Sequence, residues 1–126
     1  MKTRLYLFAI AATVVLAPAL PANAQDATSA GAQVFKTNCA VCHSAVSGQN
    51  RIGPSLFGVV GRKSGTAPNY TYSDAMKNSG LTWTPSQLDT YLANPKSVVA
   101  NTKMTFLGLK SPDDRKALIG YLATLK

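Results

Sequence analysis

The chain has no glutamate, only one histidine and only two cysteines among its 126 residues. Three Cys and His side chains are too few for a structural zinc site, which takes four such ligands. No stretch alternates polar residues with apolar, β-branched ones, and no internal repeat or low-complexity segment is present. These absences argue against β-sheet and repeat architectures, and we predict an all-α fold.

Negative charge is also scarce, since five aspartates stand against thirteen Lys and Arg, for a formal net charge of +8. The basic residues are scattered, without an Arg-rich run or a strip that interleaves basic and aromatic residues. This distribution argues against nucleic acid as the partner. The positive balance instead favours an acidic protein surface or an anionic membrane.

The first stretch has the composition of a secretory signal peptide. Lys2 and Arg4 precede an apolar run over residues 5–20, and Ala22-Asn23-Ala24 offers a small-residue cleavage site. The run is broken by a proline and is shorter than the roughly 20 residues that span a bilayer. We therefore predict cleavage after Ala24 and export to the periplasm, rather than retention as an anchor.

Cleavage divides the chain into a signal peptide, residues 1–24, and one domain, residues 25–126. Loss of two basic residues lowers the formal charge from +8 to +6. A domain of this size is marginal for a self-sufficient hydrophobic core, so a buried cofactor would help it fold. In an oxidising compartment its two cysteines would ordinarily form a disulfide.

Capping chemistry predicts where helices begin. Thr84-Pro85-Ser86-Gln87 offers Thr as N-cap, proline at the first helical position and Gln closing a capping box; Ser111-Pro112-Asp113-Asp114 repeats the start with two acidic residues. We predict about three main helices plus short ones, over residues 28–43, 73–79, 84–94 and 111–125. Residues 44–69 and 96–109 lack helical periodicity, and the first of these is long enough to indicate a loop wrapped around a large rigid cofactor.

Cys39-Ala40-Val41-Cys42-His43 fits the C-x-x-C-H pattern of covalent haem attachment. Cysteines three residues apart on a helical turn project to one side, where they match the two vinyl groups of haem, and the next histidine reaches the iron. The alternatives are a thioredoxin-like redox pair, a short-range disulfide or half of a zinc site. The first lacks its βαβ context and the last lacks ligands, so the motif favours one covalent haem c.

The second axial ligand cannot be a histidine of this chain, because His43 is the only one. Methionine is the usual alternative, and after signal removal only Met76 and Met104 remain. Met104 lies in an irregular segment that can present its thioether to a haem. Met76 lies in a predicted short helix, where methionine more often fills a gap in the core. The residues alone favour Met104 and leave Met76 open.

The mature chain resembles class I cytochrome c of the mitochondrial type, in its bacterial periplasmic form. The resemblance runs over nearly all of it, through Gly31 and Phe35, the haem motif, Gly53-Pro54-Ser55-Leu56, Gly61-Arg62-Lys63, Tyr70-Thr71-Tyr72-Ser73-Asp74-Ala75, Trp83, Tyr91-Leu92-Ala93-Asn94-Pro95-Lys96, Thr102-Lys103-Met104-Thr105-Phe106 and Leu118-Ile119-Gly120-Tyr121-Leu122. It implies the small cytochrome c fold, with long loops around one haem.

The resemblance also implies roles for single residues. Met104 becomes the second axial ligand, and the Pro54 carbonyl accepts a hydrogen bond from the His43 ring, which fixes the orientation of that ring. Gly31 and Phe35 are expected to pack against the C-terminal helix. Near the haem propionates and the methionine it implies five further residues, of which Trp83 and Tyr91 have core packing as the simpler alternative: Arg62, Tyr72, Trp83, Tyr91 and Thr102.

Two departures from the family pattern stand out. Met76 occupies a place where the mitochondrial proteins carry Asn, so the polar network beside the haem is expected to be altered or drier. Asn38 and Ser97 replace lysines near the exposed haem edge. The remaining candidate docking cations are Arg51, Lys96, Lys103 and Lys110.

With both axial positions filled by protein, substrate cannot reach the iron. We therefore expect a monomeric carrier of single electrons between respiratory or photosynthetic complexes, such as a quinol–cytochrome c reductase and a terminal oxidase or reaction centre, and no enzymatic activity of its own. The rivals are a small haem peroxidase or gas-binding protein with an open iron site, and a haem-free module that uses a Cys39–Cys42 disulfide.

Overall fold

The computed structural model describes residues 22–126, and the predicted signal peptide lies outside them except for its last three residues. Within the described part the chain forms three longer and two short helices and no strand; a single isolated bridge joins Lys63 and Thr82. The all-α prediction is confirmed. The helices are α1 (Ala22–Asn38), α2 (Asp74–Lys77), α3 (Pro85–Ala93), α4 (Pro95–Val98) and α5 (Pro112–Thr124).

Side-chain caps start three of these helices at the residues that the sequence indicates. Ser73 accepts from the Met76 amide, Thr84 from the Gln87 amide and Ser111 from the Asp114 amide, at 3.1, 3.1 and 3.2 Å. Each cap satisfies an N–H group that the first turn of a helix leaves without a partner. The predicted capping box of α3 is only half formed, because the Thr84 amide donates to the Thr82 carbonyl at 2.8 Å.

Three features of the helices differ from the prediction, and the first is that α1 begins at Ala22 and not at residue 28. The first helix was expected to run to His43, but α1 ends at Asn38 because the amides of Cys39 and Ala40 both donate to the Phe35 carbonyl, at 2.8 and 3.0 Å. The cysteine motif therefore lies on a separate turn after the helix. Residues 96–109 were expected to be irregular throughout, but Pro95 occupies the first turn of the short α4. Proline is well suited to that position.

The terminal helices α1 and α5 pack against each other at Gly31. A β-carbon built on Gly31 would lie 2.1 Å from the Ala117 carbonyl oxygen and 2.6 Å from the Tyr121 β-carbon. One turn later the rings of Phe35 and Tyr121 meet, with centroids 5.5 Å apart. The expected packing of Gly31 and Phe35 on the C-terminal helix is confirmed.

We expect Gly31→Ala to destabilise the protein by about 1–3 kcal/mol, because the added methyl overpacks the helix crossing. This loss outweighs the gain of up to about 1 kcal/mol that alanine brings to a helix interior. Gly120 is the matched control, since it lies in α5 and its β-carbon would meet nothing within 4 Å. Gly120→Ala should raise the midpoint of guanidinium unfolding and Gly31→Ala should lower it; equal midpoints would contradict a tight crossing.

The buried core lies between these helices and the long segment before α2. It is built mainly from α3, α5 and single residues of the loops, including Val59, Trp83, Leu88, Leu118 and Leu122. No helix among residues 22–126 is long and apolar enough to cross a membrane.

Candidate cofactor site

A cavity of about 550 Å³ lies among the loops, the turn after α1 and the helices α3 and α5. This volume lies within the range of about 300–1,000 Å³ that is usual for cofactor sites. Core residues from α3 and α5 form part of its wall, together with the turn after α1 and the loops. The wall also contains all ten residues that the sequence analysis assigned to haem: Cys39, Cys42, His43, Pro54, Arg62, Tyr72, Trp83, Tyr91, Thr102 and Met104.

The cysteine turn brings both thiols to one wall of the cavity. The amides of Cys42 and His43 donate to the Cys39 carbonyl at 3.0 and 2.8 Å, which closes the turn. Both thiols are free and half-buried. Burial, assisted by the neighbouring Cys42, raises the pKa of Cys39 to about 11. Two thiols on one turn beside an apolar cavity are suited to thioether attachment.

His43 is held by its backbone and by its ring. The ring Nδ1 lies 2.7 Å from the Pro54 carbonyl oxygen, which can only accept, so Nδ1 carries the proton. Nε2 then keeps the lone pair that a metal needs. Burial lowers the pKa of His43, opposed by the bond to Pro54 and assisted by nearby Arg62. The buried ring therefore favours the neutral form, which is the form that ligates iron.

Gly53 has a role that the sequence analysis missed. A β-carbon at this position would lie 2.4 Å from Cε1 of His43, and the Gly53 amide donates to the Cys42 carbonyl at 2.8 Å. The loop can pass this close to the imidazole only without a side chain. The Gly53-Pro54 dipeptide was a possible signal, because glycine often marks a close approach of backbone to another group.

Arg62 is fixed by two carbonyls and keeps one donor unused. Its guanidinium donates to the carbonyls of Phe57 and Ser55, both at 3.1 Å. Its Nε is buried and has no hydrogen-bond partner among the described residues. A buried donor without a partner is costly, and a carboxylate of a cofactor in the same cavity would satisfy it.

Aromatic side chains of the cavity lining lie beside the Met104 thioether. The Tyr91 hydroxyl donates to the Met104 sulfur at 3.4 Å, and the rings of Trp83 and Tyr91 are 4.8 Å apart. Burial raises the pKa of Tyr91, opposed by a hydrogen bond with Thr102. The hydroxyl therefore stays protonated and remains a donor at neutral pH. Thr102 also accepts from the Met104 amide at 3.3 Å, which helps to fix the loop that carries the thioether.

Met76 belongs both to the core and to the cavity wall. It is buried, with 9% of its surface exposed, and it lines the same cavity as Met104. Its predicted role as a core residue is consistent with this burial. Its apolar side chain adds no donor or strong acceptor to the wall.

The four candidate docking cations are all exposed, and Lys103 is the one that lines the cavity. Backbone carbonyls hold three of them: Arg51 donates to Ala40 at 3.0 Å, Lys103 to Thr71, and Lys110 to Ala93 and Leu107 at 3.1 and 3.2 Å. Lys96 lies in α4. Hydrogen bonds therefore position the charges of Arg51, Lys103 and Lys110.

The donor set fits a covalent haem. Two thiols, a neutral imidazole, a thioether and an unpartnered guanidinium donor line one largely apolar cavity. A metal site built from protein alone is not indicated, since no three Cys, His, Asp or Glu side chains come together within residues 22–126.

Comparison with known proteins agrees with this chemistry. The family model described as Cytochrome c matches residues 28–126. The chain is 54% identical over 90 residues to cytochrome c2 iso-2 of Magnetospirillum molischianum, covering 71% of this chain and 93% of that protein. It is 55% identical over 83 residues to cytochrome c of Trypanosoma brucei brucei, covering 66% and 89%. The solved structure of cytochrome cH from Methylobacterium extorquens aligns with a TM-score of 0.72 at 44% identity, covering 77% of this chain and 97% of that one.

Proposed function

Because this chain belongs to the cytochrome c family of electron carriers, which bind haem c covalently and are not enzymes, we propose that it carries single electrons in the periplasm through a haem ligated by His43 and Met104. The observation that carries the proposal is the convergence of both side chains on the cavity that also holds the two thiols. Haem iron, once bound, supplies one-electron redox chemistry.

Different residues of the chain hold the haem and orient its ligands. Cys39 and Cys42 would attach it, and the Pro54 carbonyl orients the His43 ring and leaves the lone pair on Nε2. Tyr91 donates to the Met104 sulfur and orients the thioether. With His43 and Met104 as ligands the iron would be closed to substrate, and the bound haem would supply electron transfer only.

Arg62 and two aromatic residues can bind the propionate groups of the haem. Arg62 offers its buried Nε to a propionate, and Tyr72 and Trp83 line the same cavity. The Tyr72 hydroxyl already accepts from the Ala67 amide at 3.1 Å, so its own proton is available to a second acceptor. Charge held by fixed donors costs little reorganisation when an electron arrives or leaves.

The partners that fit this carrier are larger redox complexes with acidic docking surfaces. A quinol–cytochrome c reductase on one side and a terminal oxidase or reaction centre on the other match the charge of a monomer that presents Arg51, Lys96, Lys103 and Lys110. Export as a cleaved precursor would place the carrier between such complexes. Small, transient redox interfaces of this kind rely on charge for encounter.

We expect electron transfer from the reduced protein to a purified terminal oxidase to slow at least tenfold as ionic strength rises from about 0.01 M to about 1 M. The screening length falls over this range from about 30 Å to about 3 Å, which removes electrostatic steering. Stopped-flow kinetics at the haem absorbance measure the rate, and an uncharged small oxidant is the control because its reaction with the reduced protein needs no steering. Rates that do not change with salt at low ionic strength would contradict docking through the basic residues.

A further inference from the structure

The segment that carries Met104 has few backbone hydrogen bonds of its own. The Met104 amide donates to the Thr102 hydroxyl at 3.3 Å. Beyond it, the next amide that donates to a backbone carbonyl within the described part of the chain is that of Leu109, which reaches the Leu92 carbonyl at 2.7 Å. We call residues 102–110 the methionine loop. Its position therefore depends strongly on what holds its far end.

Arg115, in α5, holds the far end of the methionine loop. Its Nη1 donates to the carbonyls of Leu109 and Lys110, at 2.8 and 3.1 Å. Its Nε donates to Oδ1 of Asp89, in α3, at 2.7 Å. Because the guanidinium is planar and its donors have a fixed geometry, one side chain can bind a carboxylate and two carbonyls together. We call Asp89 and Arg115 the anchor pair.

The anchor pair differs from an ordinary surface ion pair in the burial of its cation. The Arg115 side chain is 12% exposed and that of Asp89 is 50% exposed, whereas both partners of the Asp74–Lys77 pair are more than half exposed. An ion pair with an exposed partner adds little to global stability. Loss of the guanidinium would, however, leave the carbonyl of the buried Leu109 without its donor. We therefore expect the anchor pair to act on the loop more than on the whole fold.

We propose that Arg115, oriented by Asp89, is a positioning residue that fixes the far end of the methionine loop and so keeps the Met104 thioether in its ligand position. This proposal rests on the proposed function, because it takes Met104 as the iron ligand. The loop end also passes close to α3, since a β-carbon on Gly108 would lie 2.2 Å from the Ala93 carbonyl oxygen. Opening of the loop at this end breaks the hydrogen bonds to Arg115.

An added iron ligand measures the opening of the methionine loop, because it can bind only after Met104 has left. Its apparent affinity is its affinity for the open form multiplied by the fraction of molecules that are open. When the open fraction is small, a tenfold larger fraction gives about tenfold tighter binding. A residue that only stabilised the fold would change the unfolding transition and leave this affinity unaltered.

The test measures imidazole binding to the oxidised, haem-loaded protein by its visible spectrum at about pH 8, where imidazole, like the histidine side chain, is mostly neutral. We expect about tenfold tighter binding for Arg115→Leu and about threefold tighter binding for Asp89→Ala. Arg115→Lys keeps the charge but not the planar group, so it should resemble Arg115→Leu. Lys116→Leu is the matched control and should behave as wild type, since Lys116 is the next residue of α5, is exposed and carries the same charge.

Amide hydrogen exchange gives a second measurement that does not depend on an added ligand. The Leu109 amide is bonded to the Leu92 carbonyl, so its exchange reports opening at the far end of the methionine loop. We expect it to exchange about tenfold faster in Arg115→Leu than in wild type and in Lys116→Leu. The Leu88 amide, bonded to the Thr84 carbonyl in α3, is the internal reference and should exchange equally in all three proteins.

Unchanged imidazole affinity in Arg115→Leu would overturn the positioning role, even with an easier guanidinium unfolding, and would leave the proposed function standing. Wild-type affinity in Arg115→Lys would also overturn it, because the charge alone would then suffice. If Arg115→Leu did not fold, Asp89→Ala would decide, and wild-type affinity in that variant would count as refutation. A high-spin wild-type protein that binds imidazole without displacing a ligand would remove Met104 as ligand, and the proposed function with it.

Discussion

A chain in which Cys39 and Cys42 are both replaced by serine is expected to retain no haem after denaturation and to lack cooperative folding. Much of the core lines the cavity: Leu88, Leu118 and Leu122 are buried and also belong to its wall. Without a group between them, these side chains lose contacts on one side. Covalent attachment would keep that group in place.

The size of the cavity supports a large effect. A cavity left by a single Leu→Ala substitution in a core costs about 2.7–5.0 kcal/mol, and this cavity is larger, at about 550 Å³. The whole stability of an ordinary domain is about 5–15 kcal/mol. Water entering from the open side reduces the cost, but it cannot replace the contacts of an apolar group with leucine side chains.

Pyridine haemochrome analysis after denaturation measures the covalent haem, and far-ultraviolet circular dichroism measures helix content. The single variants Cys39→Ser and Cys42→Ser are the controls, because each keeps one thioether and should keep part of the haem absorbance. The disulfide alternative predicts a different result. If the wild-type protein were colourless, and equally folded with and without its cysteines, the two cysteines would be a redox pair and not a haem attachment site.

Local chemistry made much of the fold predictable. Ser73, Thr84 and Ser111 act as caps through bonds to residues three positions ahead, so the sequence contains all the information that these helix starts need. The end of α1 was less predictable. The Phe35 carbonyl accepts hydrogen bonds from two amides there, and the helical periodicity of the sequence does not predict this change of hydrogen bonding.

Some features of the site were also predictable from the sequence and others were not. The spacing of the cysteine motif indicates an attachment chemistry by itself, whereas the close passage of Gly53 over the His43 ring depends on residues ten apart meeting in space. The unused Nε of Arg62 is a further long-range feature, since it arises because two loop carbonyls already occupy the other guanidinium nitrogens. Sequence patterns locate such residues, but packing decides which of their atoms remain free.

The choice between the two methionines is where a single substitution should have the largest functional effect. We expect Met104→Leu to abolish the methionine–iron charge-transfer band of the oxidised protein and to lower its reduction potential. A soft thioether ligand favours reduced iron, and leucine keeps the volume of methionine without a donor atom. Tyr91 supports this assignment, because its hydroxyl donates to the Met104 sulfur at 3.4 Å.

Met76→Leu is the matched control, because Met76 lines the same cavity and leucine matches the volume of either methionine. The band should persist in Met76→Leu with little change in stability, since a leucine fills the same buried space at a cost below about 1.5 kcal/mol. The reverse pattern would make Met76 the ligand. A high-spin ferric spectrum in the native protein would instead indicate an open iron site and favour the peroxidase or gas-binding alternative. Because both methionines line the same cavity, only the difference between the two variants separates coordination from packing.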